Sequence, residues 1–483
     1  MTDPQILVLD AGTTSTRAMV FAPDGRVVAM AQRELTQFYP EPGWVEHDAA
    51  EIWEATLACA REVVERAGLV ACLGITNQRE TVVAWDRATG EPLARAIVWQ
   101  DRRTADFCTR LREAGREADV QGKTGLLLDP YFSATKMHWL LDNVPAVRAA
   151  GERLAFGTVE SWLVCKLTGG AHLTDATNAS RTSLLSLAGA SWDTGLCDLF
   201  GVPLAALPEV VDCAGQFGTT HLFGAPIPIT GLAGDQQAAT IGQGCLSPGE
   251  TKATFGTGAF VLANMGGRVP ASRHRLLGTV LHQLGGQRCY ALEGSVFVAG
   301  SMIQWLRDSL GLIASAAETA DLAASVPDSG GVVIVPALSG LGAPHWRPEA
   351  RAAITGLSFA SGRAQIVRAA LEAMTMQIRD LAEAFAADGA EWRGLKIDGG
   401  MSANSWMAQD LADVLGLPVE RPDFVETTAL GAAMLAGVGA GLFADLGAAA
   451  SAMRGDLRQF APGKDEAWRA ARLLAWREAL AKV

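Results

Sequence analysis

The stretch ILVLDAGTTSTR, residues 6–17, joins an apolar run to a turn of glycine and threonine. The shorter stretch TFGTG, residues 254–258, repeats this pattern in the second half of the chain. Glycine permits unusual backbone angles and close approach, and threonine hydroxyls add donors, so such turns suit a polyphosphate. A single glycine-rich turn is more often an ordinary hairpin. Two such turns, one in each half, indicate a duplicated nucleotide cradle.

Asp10 closes the first apolar run and stands directly before the first turn. A carboxylate repels phosphates, so its expected task is to hold the hydrated Mg²⁺ that accompanies ATP. The apolar run before the second turn does not end in an aspartate. We therefore expect Asp10 alone to position the metal.

The length of the chain predicts more than one folding unit. Its 483 residues exceed one ordinary core, and two large domains around a cleft are the simplest arrangement. Glycine and proline cluster near residue 245, which divides the chain into an N-terminal domain, 1–245, and a C-terminal domain, 246–483. The net charge of −12 argues against nucleic acid or an anionic membrane as a partner.

Several features predict a cytoplasmic protein without membrane insertion. The first residues have neither the basic flank nor the apolar core of a secretory signal. Eight cysteines are scattered singly, as expected for reduced thiols in a core. The most apolar stretch, 429–444, is shorter than the roughly 20 residues of a membrane span. Its glycines Gly431, Gly437 and Gly439 predict a buried helix that packs closely instead.

Strand and helix patterns alternate in both halves, which predicts mixed α/β domains. Asp48 is the expected N-cap of the first helix. The expected strands lie at 6–10, 15–22, 27–33, 71–76, 81–86, 227–230, 253–264, 332–336 and 395–398, and the expected helices at 48 onward, 101–153, 301–310 and 361–387.

Two polar stretches stand where a core would be apolar: TNQRET, residues 76–81, and GDQQ, residues 234–237. The pair Arg79 and Glu80 could be a solvated turn, and Asp235 could be a helix N-cap. Phosphoryl transfer to an alcohol, however, needs a carboxylate that takes the hydroxyl proton. Asp235 fits that role, and Arg79, Glu80 and Gln236 could bind the hydroxyls of a polyol.

Aromatic residues could cover the C–H surface of such a polyol. The candidates are Trp99, Tyr131 and Phe260, although an aromatic residue is by default part of a core.

A third stretch, DGGMSAN at 398–404, follows a predicted strand and precedes a helix. Its glycines could let the backbone approach an adenosine, with Asn404 as a polar partner. A plain strand-to-helix turn is the alternative. Gly300 and Gln304, at the start of a predicted helix, could likewise bind the nucleotide or have only a structural role.

Taken together, the ordered motifs resemble the FGGY family of carbohydrate kinases from the first strand to about residue 475. The motifs that carry the resemblance are 10–17, 42–48, 74–81, 96–100, 129–133, 175–182, 233–237, 340–344 and 398–400. The resemblance implies an α/β fold of two actin-like ATPase domains, of the ribonuclease H-like type, that flank a catalytic cleft. Within the family, the stretch around Arg79 and Glu80 is most similar to members that phosphorylate glycerol.

The resemblance implies in-line transfer of phosphate from MgATP to glycerol, giving sn-glycerol 3-phosphate, with ATP and Mg²⁺ as cofactors. Asp235 would be the general base and Asp10 would hold Mg²⁺ through water. Glycerol would be held by Arg79, Glu80, Tyr131, Asp235 and Gln236, with Trp99 and Phe260 as an apolar wall. The nucleotide would be bound by Thr13, Thr14, Ser15, Arg17, Thr257, Gly300, Gln304, Gly400 and Asn404.

Two other functions remain open at this point. A related kinase could act on another small polyol or ketose, such as erythritol, dihydroxyacetone or xylulose. A non-kinase actin-like ATPase could share the fold, but would not need Arg79, Glu80, Asp235 and Gln236. A homo-oligomer, either a dimer or a tetramer, is expected.

The chain departs from the family at three places. Ala11 stands where a glutamine is usual, and His345 where a tyrosine is usual. The stretch 221–226 is shorter than the basic, glycine-rich loop with which well-known bacterial relatives bind fructose 1,6-bisphosphate. That form of control is therefore not expected here.

Overall fold

The computed structural model describes residues 4–347, 349–424 and 426–483. Its strands are β1 (Gln5–Ala11), β2 (Ser15–Phe21), β3 (Val27–Glu34), β4 (Glu46–His47), β5 (Val70–Asn77), β6 (Val83–Asp86), β7 (Glu91–Pro92), β8 (Ala96–Ile97), β9 (Leu154–Gly157), β10 (Leu173–Asp175), β11 (Glu209–Val211), β12 (Thr219–Phe223), β13 (Ala225–Gly234), β14 (Glu250–Phe255), β15 (Ala259–Gly266), β16 (Leu277–Leu284), β17 (Gln287–Val296), β18 (Val333–Val335), β19 (Ala353–Thr355), β20 (Gly394–Asp398), β21 (Val419–Pro422) and β22 (Leu457–Phe460).

The α-helices follow the same chain order. They are α1 (Ala49–Ala67), α2 (Ala105–Glu113), α3 (Glu117–Thr124), α4 (Ser133–Asn143), α5 (Pro145–Ala150), α6 (Val159–Thr168), α7 (Ala176–Ala179), α8 (Thr194–Phe200), α9 (Asp235–Gly242), α10 (Gly300–Asp308), α11 (Glu318–Ala324), α12 (Arg363–Ala387), α13 (Ser405–Leu415), α14 (Thr427–Gly439), α15 (Leu446–Met453) and α16 (Glu466–Leu480). Within the described residues, none of these helices is both long and apolar enough to cross a bilayer.

The first half is built on a six-stranded sheet of order β12-β13-β5-β1-β2-β3. The central strand β1 pairs antiparallel with β2 and parallel with β5, and β5 in turn pairs parallel with β13. Side chains of β1 are buried on both faces of the sheet, as its continuous apolar run predicts. Leu7 and Leu9 pack toward α1 and α6, whereas Ile6 and Val8 pack toward α9 and α14.

The second half repeats this topology in a seven-stranded sheet of order β16-β17-β15-β14-β20-β21-β22. Its central strand β14 pairs antiparallel with β15 and parallel with β20, and β20 pairs parallel with β21. In each sheet the glycine-threonine turn joins the central strand to its antiparallel neighbour. The repeated sequence pattern therefore corresponds to a repeated strand topology.

Helix α14 packs on the first sheet, although it lies between β21 and β22 of the second sheet in sequence. A Cβ atom at Gly431 would lie 1.8 Å from the carbonyl oxygen of Ala238 in α9, and one at Gly439 would lie 2.1 Å from that of Thr230 in β13. Only glycine allows this approach, so the predicted close packing of a buried helix is confirmed.

Most predicted elements are found within a few residues of their expected bounds. The Asp48 side chain caps α1 by accepting a hydrogen bond from the amide of Ala50. The helical region 101–153 is divided into four short helices, α2–α5. All eight cysteines are free, and seven are buried.

The hairpin β16–β17 was not predicted. Its turn contains Gly285 and Gly286, both with positive φ, and such a glycine pair is a hairpin signal. This hairpin places a charged residue, Glu293, in the cleft described next.

Candidate active site

The polar stretches predicted from the sequence meet at one edge of the first sheet. Strands β5 and β13 are parallel neighbours, so their carboxyl ends lie side by side. Arg79 and Glu80 follow β5, and Asp235 follows β13. Arg79 and Glu80 are only 3% and 1% exposed, so the solvated-turn alternative is wrong.

Arg79 is the centre of the cluster. Its Nε lies 3.2 Å from Oδ1 of Asp235, and its Nη1 donates to Oε2 of Glu293 at 2.6 Å. Its Nη2 donates to the Tyr131 hydroxyl at 3.3 Å. Glu293 lies in β17 of the second half, so this one guanidinium connects the predicted polyol residues to both halves.

Two charged residues of this cluster, Arg181 and Glu293, were assigned no role from the sequence. Arg181 donates from Nε to Oε1 of Glu80 at 2.6 Å and from Nη2 to Oε1 of Glu293 at 2.9 Å. Both side chains are fully buried. A lone carboxylate within the apolar strand β17 was the available signal for Glu293, and the polar stretch 175–182 was the signal for Arg181.

The two glutamates respond differently to their common environment. Burial raises the pKa of Glu80, and the lowering by Arg79 and Arg181 does not fully offset it. Burial would also raise the pKa of Glu293, but Arg181 and Arg79 together lower it below its ordinary value. The two arginines therefore stabilise the ionised form of Glu293 more than that of Glu80.

Glu80 has a backbone φ of 60°, which is uncommon and costly for a residue other than glycine. Its carbonyl oxygen accepts a hydrogen bond from Oγ of Ser133 at 3.1 Å, and its side chain accepts from Arg181. These contacts hold the strained conformation in place beside Arg79.

Asp235 is the first residue of α9, whose N-cap is Gly234. The predicted alternative, that Asp235 is itself the N-cap, is therefore not what the structure shows. Its side chain is 32% exposed, and Oδ1 accepts from the amide of Gln236 at 2.7 Å. Burial raises the pKa of Asp235, although Arg79 lowers it in part. A carboxylate with a raised pKa is better suited to accept a proton.

The aromatic candidates form a wall beside this cluster. The ring centroid of Trp99 lies 5.7 Å from that of Tyr131 and 6.4 Å from that of Phe260. The indole Nε1 of Trp99 donates to Oγ1 of Thr13 at 2.9 Å. The wall therefore adjoins the first glycine-threonine turn, and Phe260 adds to it from the second half.

Asp10 is buried next to the same turn, with an exposure of 4%. Nη2 of Arg17 donates to its Oδ2 at 2.8 Å, and Nη1 of Arg17 donates to Glu426. Burial raises the pKa of Asp10, against the lowering by Arg17. Mg²⁺ commonly binds one or two carboxylates while it keeps water and phosphate ligands, and the Asp10 carboxylate fits such an ion.

The second turn is fastened to the start of α10. The amide of Gly300 donates to the carbonyl oxygen of Gly256 at 2.9 Å, and Oγ of Ser301 donates to that of Thr257 at 3.0 Å. Gln304, one turn further along α10, is exposed.

The glycines of the predicted nucleotide site differ in the space around them. Among the residues that the structure describes, a Cβ atom at Gly400 would meet nothing within 4 Å, and one at Gly256 would meet only an oxygen at 3.9 Å. A Cβ at Gly300 would instead lie 2.5 Å from the carbonyl oxygen of Gly256. Gly256 and Gly400 thus leave room for a ligand, whereas Gly300 is required by backbone packing.

The remaining predicted nucleotide residues have structural contacts of their own. Asn404 caps α13 by accepting from the amide of Met407, and its Nδ2 donates to Thr319. Thr14 is exposed, and Oγ of Ser15 accepts from Gln32. Their roles toward a nucleotide stay predictions.

His345, which departs from the family pattern, bonds through Nε2 to Oδ2 of Asp380 at 2.9 Å. The same oxygen accepts from the indole of Trp476. His345 thus joins a contact between α12 and α16.

Comparison with known proteins places this cleft in a family. A glycerol kinase from Rhodospirillum rubrum is 57% identical over 457 residues, which cover 92% of each chain. The crystal structure of Plasmodium falciparum glycerol kinase with ADP superposes with a TM-score of 0.95 at 36% identity, covering 99% of this chain and 98% of that one. For a xylulose kinase from Rhodospirillum rubrum the TM-score is 0.87 at 26% identity, with coverage of 99% and 98%.

Family models match both halves of the chain. Residues 5–242 match the N-terminal domain of the FGGY carbohydrate kinases, and residues 251–440 match the C-terminal domain. The chain belongs to the FGGY family of carbohydrate kinases.

Proposed function

We propose that this enzyme transfers the γ-phosphoryl group of ATP to a terminal hydroxyl of glycerol, giving sn-glycerol 3-phosphate and ADP. The observation that carries the proposal is the buried Arg79 guanidinium, 3.2 Å from the Asp235 carboxylate and within hydrogen-bond distance of the Tyr131 hydroxyl. Hydrogen-bond donors and acceptors are thus grouped beside an aromatic wall, and their spacing suits a small polyol. The 57% identity to a protein named glycerol kinase supports the same substrate.

Asp235 would act as the general base. It would take the proton of the terminal hydroxyl while that oxygen forms a bond to the γ-phosphorus and the bond from the γ-phosphorus to the β,γ-bridging oxygen breaks. Burial raises the pKa of Asp235, and the charge of Arg79 opposes that rise and so favours the ionised form that a general base needs. A positioned base of this kind contributes roughly 10²–10⁴-fold to a rate.

The nucleotide would lie between the two glycine-threonine turns. Gly256 and Gly400 leave space for it, and the predicted binding residues Thr13, Arg17 and Thr257 lie on or beside the turns. Mg²⁺ bound to the phosphates would neutralise part of their charge, and Asp10 would hold its water shell. Closure of the two halves would exclude water and so limit hydrolysis of ATP.

The pocket should be more selective against missing hydroxyls than against added carbon atoms. An analogue without a hydroxyl would forgo hydrogen bonds to Arg79 and Glu80, which are buried polar groups. A longer polyol is excluded only by shape. Erythritol and xylulose are therefore the informative competitors.

We test the proposal by measuring ADP release with glycerol, dihydroxyacetone, erythritol and xylulose in parallel. The expected result is a kcat/KM for glycerol that exceeds those for erythritol and xylulose by at least about tenfold. Release with glycerol that is no faster than in buffer alone would refute the proposal. Release with erythritol or xylulose only would assign the enzyme to another substrate of the same family.

We also propose that the enzyme works in the cytoplasm, since its eight cysteines are free thiols, as is usual in a reducing compartment. The predicted homo-oligomer, a dimer or a tetramer, is tested by the mass of the purified protein in solution.

A further inference from the structure

Lys252 in β14 is a buried cation with no role in the site described so far. Strand residues alternate between faces, and Ala253 and Phe255 of β14 join the core of the second half. Lys252 and Thr254 therefore face the other way, toward α9 of the first half. The Lys252 side chain is completely buried there.

The ammonium group of Lys252 bonds two uncharged oxygens. Nζ donates to Oε1 of Gln236 at 2.7 Å and to Oγ1 of Thr254 at 2.6 Å. Gln236 belongs to the predicted polyol site, and Thr254 begins the second glycine-threonine turn. A buried ammonium ion is costly in such surroundings, so its position between two functional segments calls for an explanation.

The contact fixes the orientation of the Gln236 amide. An ammonium group has three donors and no acceptor, so only the carbonyl end of the amide can face it. The NH₂ end of Gln236 must then point away from Lys252. Gln236 consequently offers donors, rather than an acceptor, to a ligand in the cleft.

Lys252 also contributes positive charge to the cleft. Burial lowers the pKa of Lys252, as does Arg79, whereas Asp398 and Asp235 raise it in part. In return, Lys252 and Arg79 lower the pKa of Asp235, whereas burial and Asp10 raise it. Two cations, Arg79 and Lys252, therefore oppose the effects of burial and Asp10 on the pKa of Asp235.

We propose that Lys252 is a positioning residue that holds the Gln236 amide with its NH₂ group toward the polyol and places a positive charge near Asp235. The proposal rests on the proposed glycerol phosphorylation. It extends the site to a residue outside the predicted binding set, which joins Gln236 to the second turn.

The test uses Lys252→Met, which removes both the donors and the charge, and Lys252→Arg, which keeps the charge. Lys252→Met should raise the KM for glycerol by about tenfold or more, as expected for a lost hydrogen bond to a charged group. The KM for MgATP should change much less. A KM for glycerol within about twofold of the unmodified enzyme would overturn the proposal.

The pH profile supplies a readout that a purely structural role would not move. Asp235 must be ionised to act as base, so kcat/KM falls as the pH drops through its pKa. Removing a nearby cation raises that pKa, and Lys252→Met should shift the acid limb upward by about half a unit or more. Lys252→Arg should leave the limb in place. An unmoved limb in Lys252→Met would contradict the proposed charge effect.

A double-mutant cycle shows whether Lys252 acts through Gln236. In the background of Gln236→Met, Lys252→Met should cause little further increase in the KM for glycerol. Increases that multiply would mean that the two residues act independently, and would overturn the positioning role.

Folding of each variant is checked by thermal unfolding. If Lys252→Met does not fold, Lys252→Gln, which is neutral but still a donor, replaces it and should show the same shift of the acid limb. If glycerol does not increase ADP release by the unmodified enzyme, the proposed function is refuted. If the unmodified enzyme phosphorylates glycerol and the Lys252 variants have the same KM and pH profile, this inference alone is refuted.

Discussion

Substitution of Glu293 by glutamine tests whether the buried ion cluster holds the cleft together. Glu293 accepts from Arg79 at 2.6 Å and from Arg181 at 2.9 Å, and all three side chains are at most 2% exposed. Removing one partner of a buried ion pair leaves the other charge uncompensated and costs about 3–5 kcal/mol. In Glu293→Gln, moreover, the new NH₂ group would have to face an arginine donor.

The thermal midpoint is the quantity to measure. Each kcal/mol lowers the midpoint of a domain of this size by about 2–4 °C, so Glu293→Gln should lower it by roughly 10 °C. The KM for glycerol should also rise, because Arg79 loses its partner in the second half. A control is Glu466→Gln, which affects a side chain that is 80% exposed and pairs with Arg469, where an ion pair contributes little.

The pH dependence of stability adds a second check. The pKa of Glu293 is lowered in the fold, so its contribution is present above the ordinary glutamate pKa of about 4.3 and is lost as the pH falls further. Glu293→Gln should remove that part of the acid destabilisation. A midpoint within about 2 °C of the unmodified enzyme, with an unchanged acid profile, would refute the view that Glu293 is the ionised partner of the two arginines.

Three further predictions concern the base, a buried acid and the nucleotide turn. Asp235→Asn should lower kcat by roughly 10²-fold or more, while ATP binding, measured by calorimetry, stays nearly unchanged. If the variant keeps most of its activity, Asp235 is not the base. Burial and the neighbouring Asp175 raise the pKa of Glu160 in α6, so its contribution to stability is present below the ordinary glutamate pKa of about 4.3 and is lost as the pH rises through the raised value. In Glu160→Gln the thermal midpoint should therefore fall less as the pH rises across that range. A fall as steep as in the unmodified enzyme would contradict the raised pKa of Glu160. Gly400→Ala, which fills open space, should raise the KM for ATP without altering the midpoint, whereas Gly300→Ala, at 2.5 Å from the carbonyl of Gly256, should cost about 1–3 kcal/mol; the reverse pattern would be inconsistent with the proposed cradle.

Local signals in the sequence were sufficient for much of the fold. The apolar run before Asp10 predicted a strand, and Asp48 predicted a helix start, and the structure shows both. The paired glycine-threonine turns predicted a duplication, which appears as the same strand order around β1 and β14. These features depend on residues close together in the chain.

The parts that were missed depend on contacts between distant residues. Glu293 meets Arg79 only because β17 pairs with β15 and faces the first half, and no local pattern reports that contact. Lys252 likewise gains its partner Gln236 from another element. Helix α14 was predicted to be buried, but its packing on the first sheet depends on the position of the whole second half.

The polyol residues could be identified only in part. The pair Arg79 and Glu80 was ambiguous between a solvated turn and a buried site, because sequence does not report whether a charged residue is covered. Burial resolves that ambiguity. For Asn404 the structure does not decide between a nucleotide ligand and a structural role, because the capping of α13 already accounts for its side-chain oxygen.

The most direct test of the central claim is the stoichiometry of products from glycerol and MgATP. ADP is quantified in one aliquot, and sn-glycerol 3-phosphate in another by a stereospecific dehydrogenase. Glycerol phosphorylation predicts equal amounts of the two products at every time point, and loss of both together in Asp235→Asn. ADP that forms without sn-glycerol 3-phosphate would identify an ATPase and contradict the proposed reaction.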